Sequence, residues 1–182
     1  VLFENRADNL RDEVDIAIRI MPEPPLSLVA ISLGDVHYVA CAAKSYADAH
    51  GLPQTPDALR ASPTITAGVI GRQLRLSAYK DGERTEVLLE PTLISEHFPF
   101  LRQGIVAGLG IGIVPDYVVA PELASGQVVT TLQDYRLSIF GTSMYLLYMP
   151  GRHQTRAVRT CIDFLRDKAR PNEKAGSEAD PA

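Results

Sequence analysis

The chain has 182 residues, of which 46% are hydrophobic and 22% charged, and its formal net charge is −4. That balance suits a soluble globular chain with one ordinary core or two small lobes, and it excludes a disordered polyelectrolyte. An acidic chain lacks the clustered Lys and Arg that a nucleic-acid surface needs, no apolar run approaches the length of a bilayer span, and no cleavable signal segment opens the sequence.

The sequence begins abruptly in the apolar Val1 to Phe3, as though an element preceded it. Val14 to Ile20 alternates apolar and polar residues like a strand with one buried face. The run Met21 to Pro25 must break it, because proline removes ladder donors and restricts the residue before it. A strand pair is predicted next, over Leu28 to Leu33 and Val36 to Ala43, separated by Gly34 and Asp35. Ser45 is placed to cap a short helix ending at His50 and Gly51. Thr55, Pro56 and Asp57 form a stronger start signal for a helix through Ala61. Thr64 to Ala67 reads as a buried strand. Leu74 to Tyr79 and Thr85 to Leu89 flank Asp81-Gly82, the signature of an antiparallel hairpin.

Leu93 and Ile94 close a further strand, and Ser95 is placed to cap a helix running to about Gly108, with Pro99 near its first turn. Ile111 to Val114 is a short, fully apolar strand stopped by Pro115. Tyr117 to Leu123 is predicted helical, ending near Gly126, and Val128 to Leu132 and Met144 to Met149 are the last predicted strands. The closing helix, about Gln154 to Lys168, puts Ala157, Val158, Cys161, Ile162 and Leu165 on one face. The tail from Pro171 has no face to bury and is predicted disordered. Strands alternating with helices imply an α/β architecture with mainly parallel sheets.

Several segments, in order and at matching spacing, together resemble the effector domain of LysR-type transcriptional regulators. They are Val14 to Ile20, Val39 to Gly51, Thr55 to Leu59, Ala107 to Pro115 and Val158 to Leu165. The resemblance covers nearly the whole chain up to Arg170. It implies an α/β, periplasmic-binding-protein-like (type II) fold of two subdomains joined by two crossover strands. Subdomain I would be residues 1–37 and 139–170, incomplete at its N-terminus, and subdomain II residues 38–138, followed by the tail 171–182. It further implies a cytoplasmic domain that binds a small-molecule effector, a small organic acid or aromatic metabolite, in the cleft between subdomains. It implies a homodimer or homotetramer, to which the edge near Val1 to Glu4 would contribute. DNA would be bound only through a winged helix-turn-helix domain that this sequence does not contain. A solute-binding protein serving transport has the same fold and is the alternative.

The candidate effector contacts lie at strand ends and one helix start. Ser95, His97 and Phe98 sit where a helix N-terminus could meet a carboxylate, though Glu96 would oppose an anion if it pointed inward, and simple capping is the other reading. Thr66, Ala67 and Gly68 follow a buried strand, where ligands collect in open α/β sheets, or else form an ordinary loop. Arg19 could hold a carboxylate with two parallel bonds or serve an internal ion pair. Met21 and Val114, also at strand ends, complete the set.

Gly108-Leu-Gly-Ile-Gly112 is not a dinucleotide fingerprint, because a helix precedes it and a strand follows, the wrong polarity. Cys41 and Cys161 lie in apolar patterns without metal-ligand neighbours and read as buried small hydrophobes. His37, His50, His97 and His153 are scattered, with no triad, HExxH or Walker spacing. The sequence therefore gives no catalytic residue, metal site or cofactor.

Overall fold

The computed structural model describes residues 14–67, 72–150 and 155–169. The chain divides into two compact units, Val1–Asp35 with Ser143–Ala182, and Val36–Thr142. The expectations for Val1 to Glu4, Gly68, His153 and the tail lie outside the described residues.

In the first unit the alternating run becomes strand only from Ala17: β1 (Ala17–Met21) buries Ala17 and Arg19 and stops at Pro22. Strand β2 (Val29–Asp35) and the late strand β11 (Ser143–Tyr148) complete a three-stranded sheet in the order β1-β11-β2. Both pairings of β11 are antiparallel, and the β2 ladder slips at Met144/Tyr145, leaving Leu33 as an extra residue. Leu146 and Leu147, almost fully buried, anchor the centre of the sheet. Helix α4 (Arg156–Ala169) packs on β2 through a stripe in which Ile162 is buried and Val158, Cys161 and Leu165 are half-buried. Ala157, expected on that stripe, is exposed, as is Phe164.

The second unit is built on β3 (Tyr38–Ala43), an apolar strand buried almost throughout. One edge of β3 pairs with β8 (Ile111–Pro115). The other is shared by β9 (Val128–Thr131) and β10 (Arg136–Ser138). Beyond β8 come β4 (Thr64–Thr66) and β7 (Leu93–Ile94), both parallel pairings. Beyond β10 comes the hairpin of β5 (Leu74–Lys80) and β6 (Glu83–Leu89). Asp81 and Gly82 both have positive φ, 52° and 83°, as a two-residue type I′ turn requires. Helices α1 (Lys44–His50), α2 (Phe98–Val106) and α3 (Ala120–Ser125) pack onto this sheet. Leu101 and Ile105 of α2 lie in one core with Cys41, Ile65 and Val128.

Several expectations are corrected. The sheets are not mainly parallel: among the described residues only β4 with β7 and β4 with β8 run parallel. The segments on either side of Gly34-Asp35 do not pair with each other, since β2 joins β11 and β3 joins the second sheet. Strand β10 was not predicted; three residues are too few to show a period, yet they link the hairpin to β3. Ser45 lies inside α1, whose N-cap position is Ala43 with no side-chain cap. Residues Asp57–Ala61 form a 3-10 turn without a side-chain cap, Thr55 accepting through its backbone oxygen instead. The segment after Pro115 is a 3-10 turn, Asp116–Val118, followed by α3.

In the run 108–112 close approach explains Gly110 and Gly112, whereas Gly108 is set by its positive φ of 74°. A Cβ at Gly110 would lie 2.4 Å from the Pro63 carbonyl oxygen, and one at Gly112 would lie 2.2 Å from Ile105 Cδ1. Gly110→Ala should therefore cost about 3–4 kcal/mol, because its φ of 155° is strained for alanine and backbone must move besides. Gly82→Ala, whose Cβ meets nothing within 4 Å, should cost about 1–2 kcal/mol for its positive φ alone. Urea unfolding of both variants gives the comparison; equal costs would refute the close-approach account.

Candidate functional site

In the second unit β4, β7 and β8 run parallel, so their carboxyl ends align: Thr66 is level with Ile94 and with Ile113. The residues just beyond, Ala67, Ser95 and Val114, therefore collect on one rim, the position where open α/β sheets hold ligands. Tyr38, at the antiparallel start of β3, pairs with Pro115 and so reaches the same rim. Six of the eight sequence-predicted contacts come together here: Thr66, Ala67, Ser95, His97, Phe98 and Val114. The other two, Arg19 and Met21, belong to β1 of the first unit. Arg19 is 7% exposed opposite Tyr145, and Met21 is half-buried opposite Ser143.

Each rim residue has a definite task. The Thr66 hydroxyl, fully buried, donates to Ile113 O at 2.9 Å and ties β4 to β8. Its only proton is then committed, so it can offer a ligand no more than an acceptor. Thr66 O receives the Ser95 amide at 3.2 Å, extending the β4–β7 ladder by one residue. Ser95 Oγ accepts from the His97 amide at 3.1 Å. Ser95 was expected to cap α2, but the N-cap position is His97, and Ser95 closes a turn before it. The helix also ends at Val106 rather than Gly108. His97 is exposed and Phe98 half-buried, whereas Val114 is fully buried against the core that includes Ala67.

The helix start is poor in spare amides. That of His97 is taken by Ser95, Pro99 has none, and Phe100 and Leu101 both donate to His97 O. With these amides used or missing, this end offers an anion less than a regular N-terminus does.

What the rim has instead is aromatic surface, of which sequence reading named Phe98 and missed Tyr117. The Phe98 ring meets Tyr117 edge-on, centroids 6.3 Å apart at 81°, and Tyr117 is 48% exposed. Burial pushes the Tyr117 phenol up, with Asp116 adding to it, and burial raises the Tyr38 phenol further, helped by Tyr117. Both phenols stay protonated and able to donate. The signal available in sequence was the placement of Tyr117 two residues beyond a strand-stopping proline.

The flank of α2 is held by an ion pair. Arg102 Nε donates to Glu122 Oε1 at 2.9 Å and Arg102 Nη2 bonds the same oxygen, while Glu122, on α3, is 6% exposed. The Arg102 hydrogen bond holds the Glu122 carboxyl below its ordinary value of 4.5. A polar pocket of about 390 Å³ lies at the other end of β4, beside Thr64, Ser62 and Glu90. Its cation, Arg60, is already tied to Asp57 and to Leu88 O. Cys41 is fully buried, its thiol pushed up to about 12 by burial, and Cys161 is half-buried.

This architecture is that of an α/β ligand-binding domain of the type II periplasmic-binding-protein-like class. A family model for the LysR substrate binding domain matches residues 4–170, and the chain belongs to that family. The probable HTH-type transcriptional regulator LtrA of Klebsiella pneumoniae is 29% identical over 177 residues, which are 97% of this chain and 57% of that protein. The HTH-type transcriptional activator TtdR of Escherichia coli (strain K12) is 26% identical over 167 residues, 90% of this chain and 52% of that one. Among solved structures, the full-length Vibrio cholerae virulence activator AphB superposes with a TM-score of 0.73 at 26% identity, covering 91% of this chain and 56% of AphB. The regulatory domain of AphB from Vibrio vulnificus gives a TM-score of 0.71 at 26% identity, covering 89% and 80%. The chain spans about half the length of the curated relatives it matches.

The ion pair makes a pH prediction. Because the folded carboxyl is lowered, its contribution is present above the unfolded value and fades as pH falls through the folded one. Arg102→Met should therefore lower the urea midpoint clearly at neutral pH and much less at about pH 3.5, where Glu122 is protonated in the variant. A loss independent of pH would assign Arg102 a packing role instead.

Proposed function

We propose that this chain is the effector-sensing domain of a LysR-type transcriptional regulator, and that its effector contacts the rim formed by Ser95, His97, Phe98, Ala67 and Tyr117. The observation that carries the reading is the shared ending of three parallel strands beneath the first turn of α2, in a domain of this family. Thr66 and Val114 shape the rim from beneath. Arg19 and Met21 are proposed as effector contacts from the first unit on the strength of the resemblance alone, as are the subdomain limits 1–37 with 139–170 and 38–138.

Between a small organic acid and an aromatic metabolite, the rim favours an aromatic one. Its helix start has few amides left to offer and it carries a partly exposed edge-on ring pair, which suits a planar, largely apolar body. In the whole regulator we propose that the domain acts in the cytoplasm as part of a homodimer or homotetramer. DNA would be bound only through a helix-turn-helix domain outside this sequence, and the domain itself would have no enzymatic role. Among the described residues no helix is long and apolar enough to cross a membrane. The family of the chain and its HTH-type relatives favour regulation over solute capture for transport.

A thermal-shift screen of aromatic acids and small aliphatic acids tests this. A compound that binds only the native state raises the melting temperature, by about 2.7 kcal/mol of added stability at a hundredfold excess over its Kd. Aromatic acids are expected to give the larger shifts, and Ser95→Ala and Phe98→Leu to shrink them. Thr66→Val should lower the starting stability by about 1 kcal/mol through the lost bond to Ile113 O, so its shift is read from its own baseline. Should Ser95→Ala and Phe98→Leu respond as the parent does, the rim is not the site.

A further inference from the structure

The opposite edge of the second sheet carries different chemistry. Register pairs Arg136 of β10 with Tyr79 of β5, and Tyr79 with Arg84 of β6, so these side chains stand in one row on one face. The next row is Ser138, Ser77 and Glu86, and beyond it Arg75 stands beside Leu88. The other face of these strands carries the buried Leu74, Leu76, Val87 and Leu137. On the arginine face Arg75, Arg84 and Arg136 are exposed and Tyr79 half-buried, while the serines between them, Ser77 and Ser138, are buried.

The guanidiniums are held in place. Arg136 lies 4.4 Å from the Tyr79 ring centroid, within cation–π range. Glu86 receives Arg75 Nη1 and Arg84 Nη2, each at 2.8 Å, and Arg84 Nη2 also donates to Ser77 Oγ at 3.1 Å. One carboxylate thus answers two arginines, and Arg136 makes no ion pair among the described residues. Within these rows three arginines meet one glutamate, while of the acids at the adjoining turn Asp134 is bonded to Lys80 and Asp81 lies beside it. Side chains already ordered by neighbours lose less freedom on binding.

We propose that this face docks an acidic segment of a partner protein, its carboxylates on Arg84 and Arg136 and an apolar or aromatic side chain against Tyr79. Two strand spacings separate the two arginines, about 10 Å; in an extended segment the same-face residues i and i+4 lie about 13 Å apart with i+2 between them, so flexible carboxylate side chains at i and i+4 can close on both arginines. Duplex DNA is the poorer match. DNA-binding proteins commonly neutralise about 6–10 phosphates, and three arginines sharing one glutamate on an acidic chain supply far fewer.

The test uses the whole chain and fluorescence anisotropy of a labelled peptide of glutamates with a central tyrosine. Binding is expected at low salt, weakening at about 0.2 M salt as the screening length falls below about 8 Å. Arg84→Glu combined with Arg136→Glu should weaken it about tenfold or more, with circular dichroism unchanged. Arg136→Lys, which keeps the charge but not the planar stacking, should fall between. Lys44→Glu, a charge reversal on α1 of the same unit, should leave binding unaltered. The proposal is overturned if Lys44→Glu weakens binding equally, since attraction would then be unspecific. It is overturned too if a DNA duplex binds more tightly than the peptide through the same arginines. A double variant that self-associates in sedimentation while binding the peptide unchanged would show that the arginines only guard an edge strand, and that also refutes it.

Discussion

Helix α2 can lie where it does only because position 112 has no side chain. Ile105 fills the space a Cβ would need there, and its own full burial leaves it little room to move aside. This contact sets the height of α2 over β8. Arg102 fixes the helix sideways through Glu122, and Thr66 locks the neighbouring strand to β8 by a side-chain bond to its backbone. Ser95, His97 and Phe98 inherit their positions from this packing, since they lie between the end of β7 and the first turn of the same helix. The rim is therefore a consequence of the core.

Much of this was readable in the sequence where a signal is local. The Asp81-Gly82 hairpin, the apolar β8 stopped by Pro115 and the amphipathic closing helix each follow from residue type and spacing, and each is present. The glycine run is no phosphate loop, as its position after a helix and before a strand already showed. Strand direction was not readable. Alternating strands and helices suggested parallel sheets, but β3 is antiparallel to all three of its neighbours, and nothing in its apolar run specifies direction. Capping was misjudged for a related reason. Ser45 and Ser95 have the right side chains, but backbone geometry chose Ala43 and His97 as the N-cap positions. Six of the rim residues were named because strand ends and helix starts are local features. Tyr117 was not, because its meeting with Phe98 depends on where α2 lands.

The chemistry of the rim follows from what the fold has already spent. Thr66 gives its proton to Ile113, Ser95 takes the His97 amide, and Pro99 removes another donor from the helix start. These uses stabilise the turn and withdraw polar capacity from a ligand. The remaining surface is a half-exposed tyrosine against a phenylalanine, with phenols that burial keeps protonated. A ligand seated on the rim proposed above would be held by shape and a few hydrogen bonds rather than by charge.

The rim and the arginine face meet the same strand. Tyr38 pairs with Pro115 on one side and with Leu137, next to Arg136, on the other. That continuity invites an argument for coupling, but physical coupling needs an element with two arrangements that the two ligands favour differently. Strand β3 is a poor candidate: it is paired along both edges and nearly all of it is buried. Close-packed strands of this sort resist small continuous deformation. Events on the two surfaces should then be independent within this unit. On the reading proposed above, a response to effector is expressed by the rim side chains or by movement of the unit as a whole, because β3, which joins the two surfaces, is buried and paired along both edges.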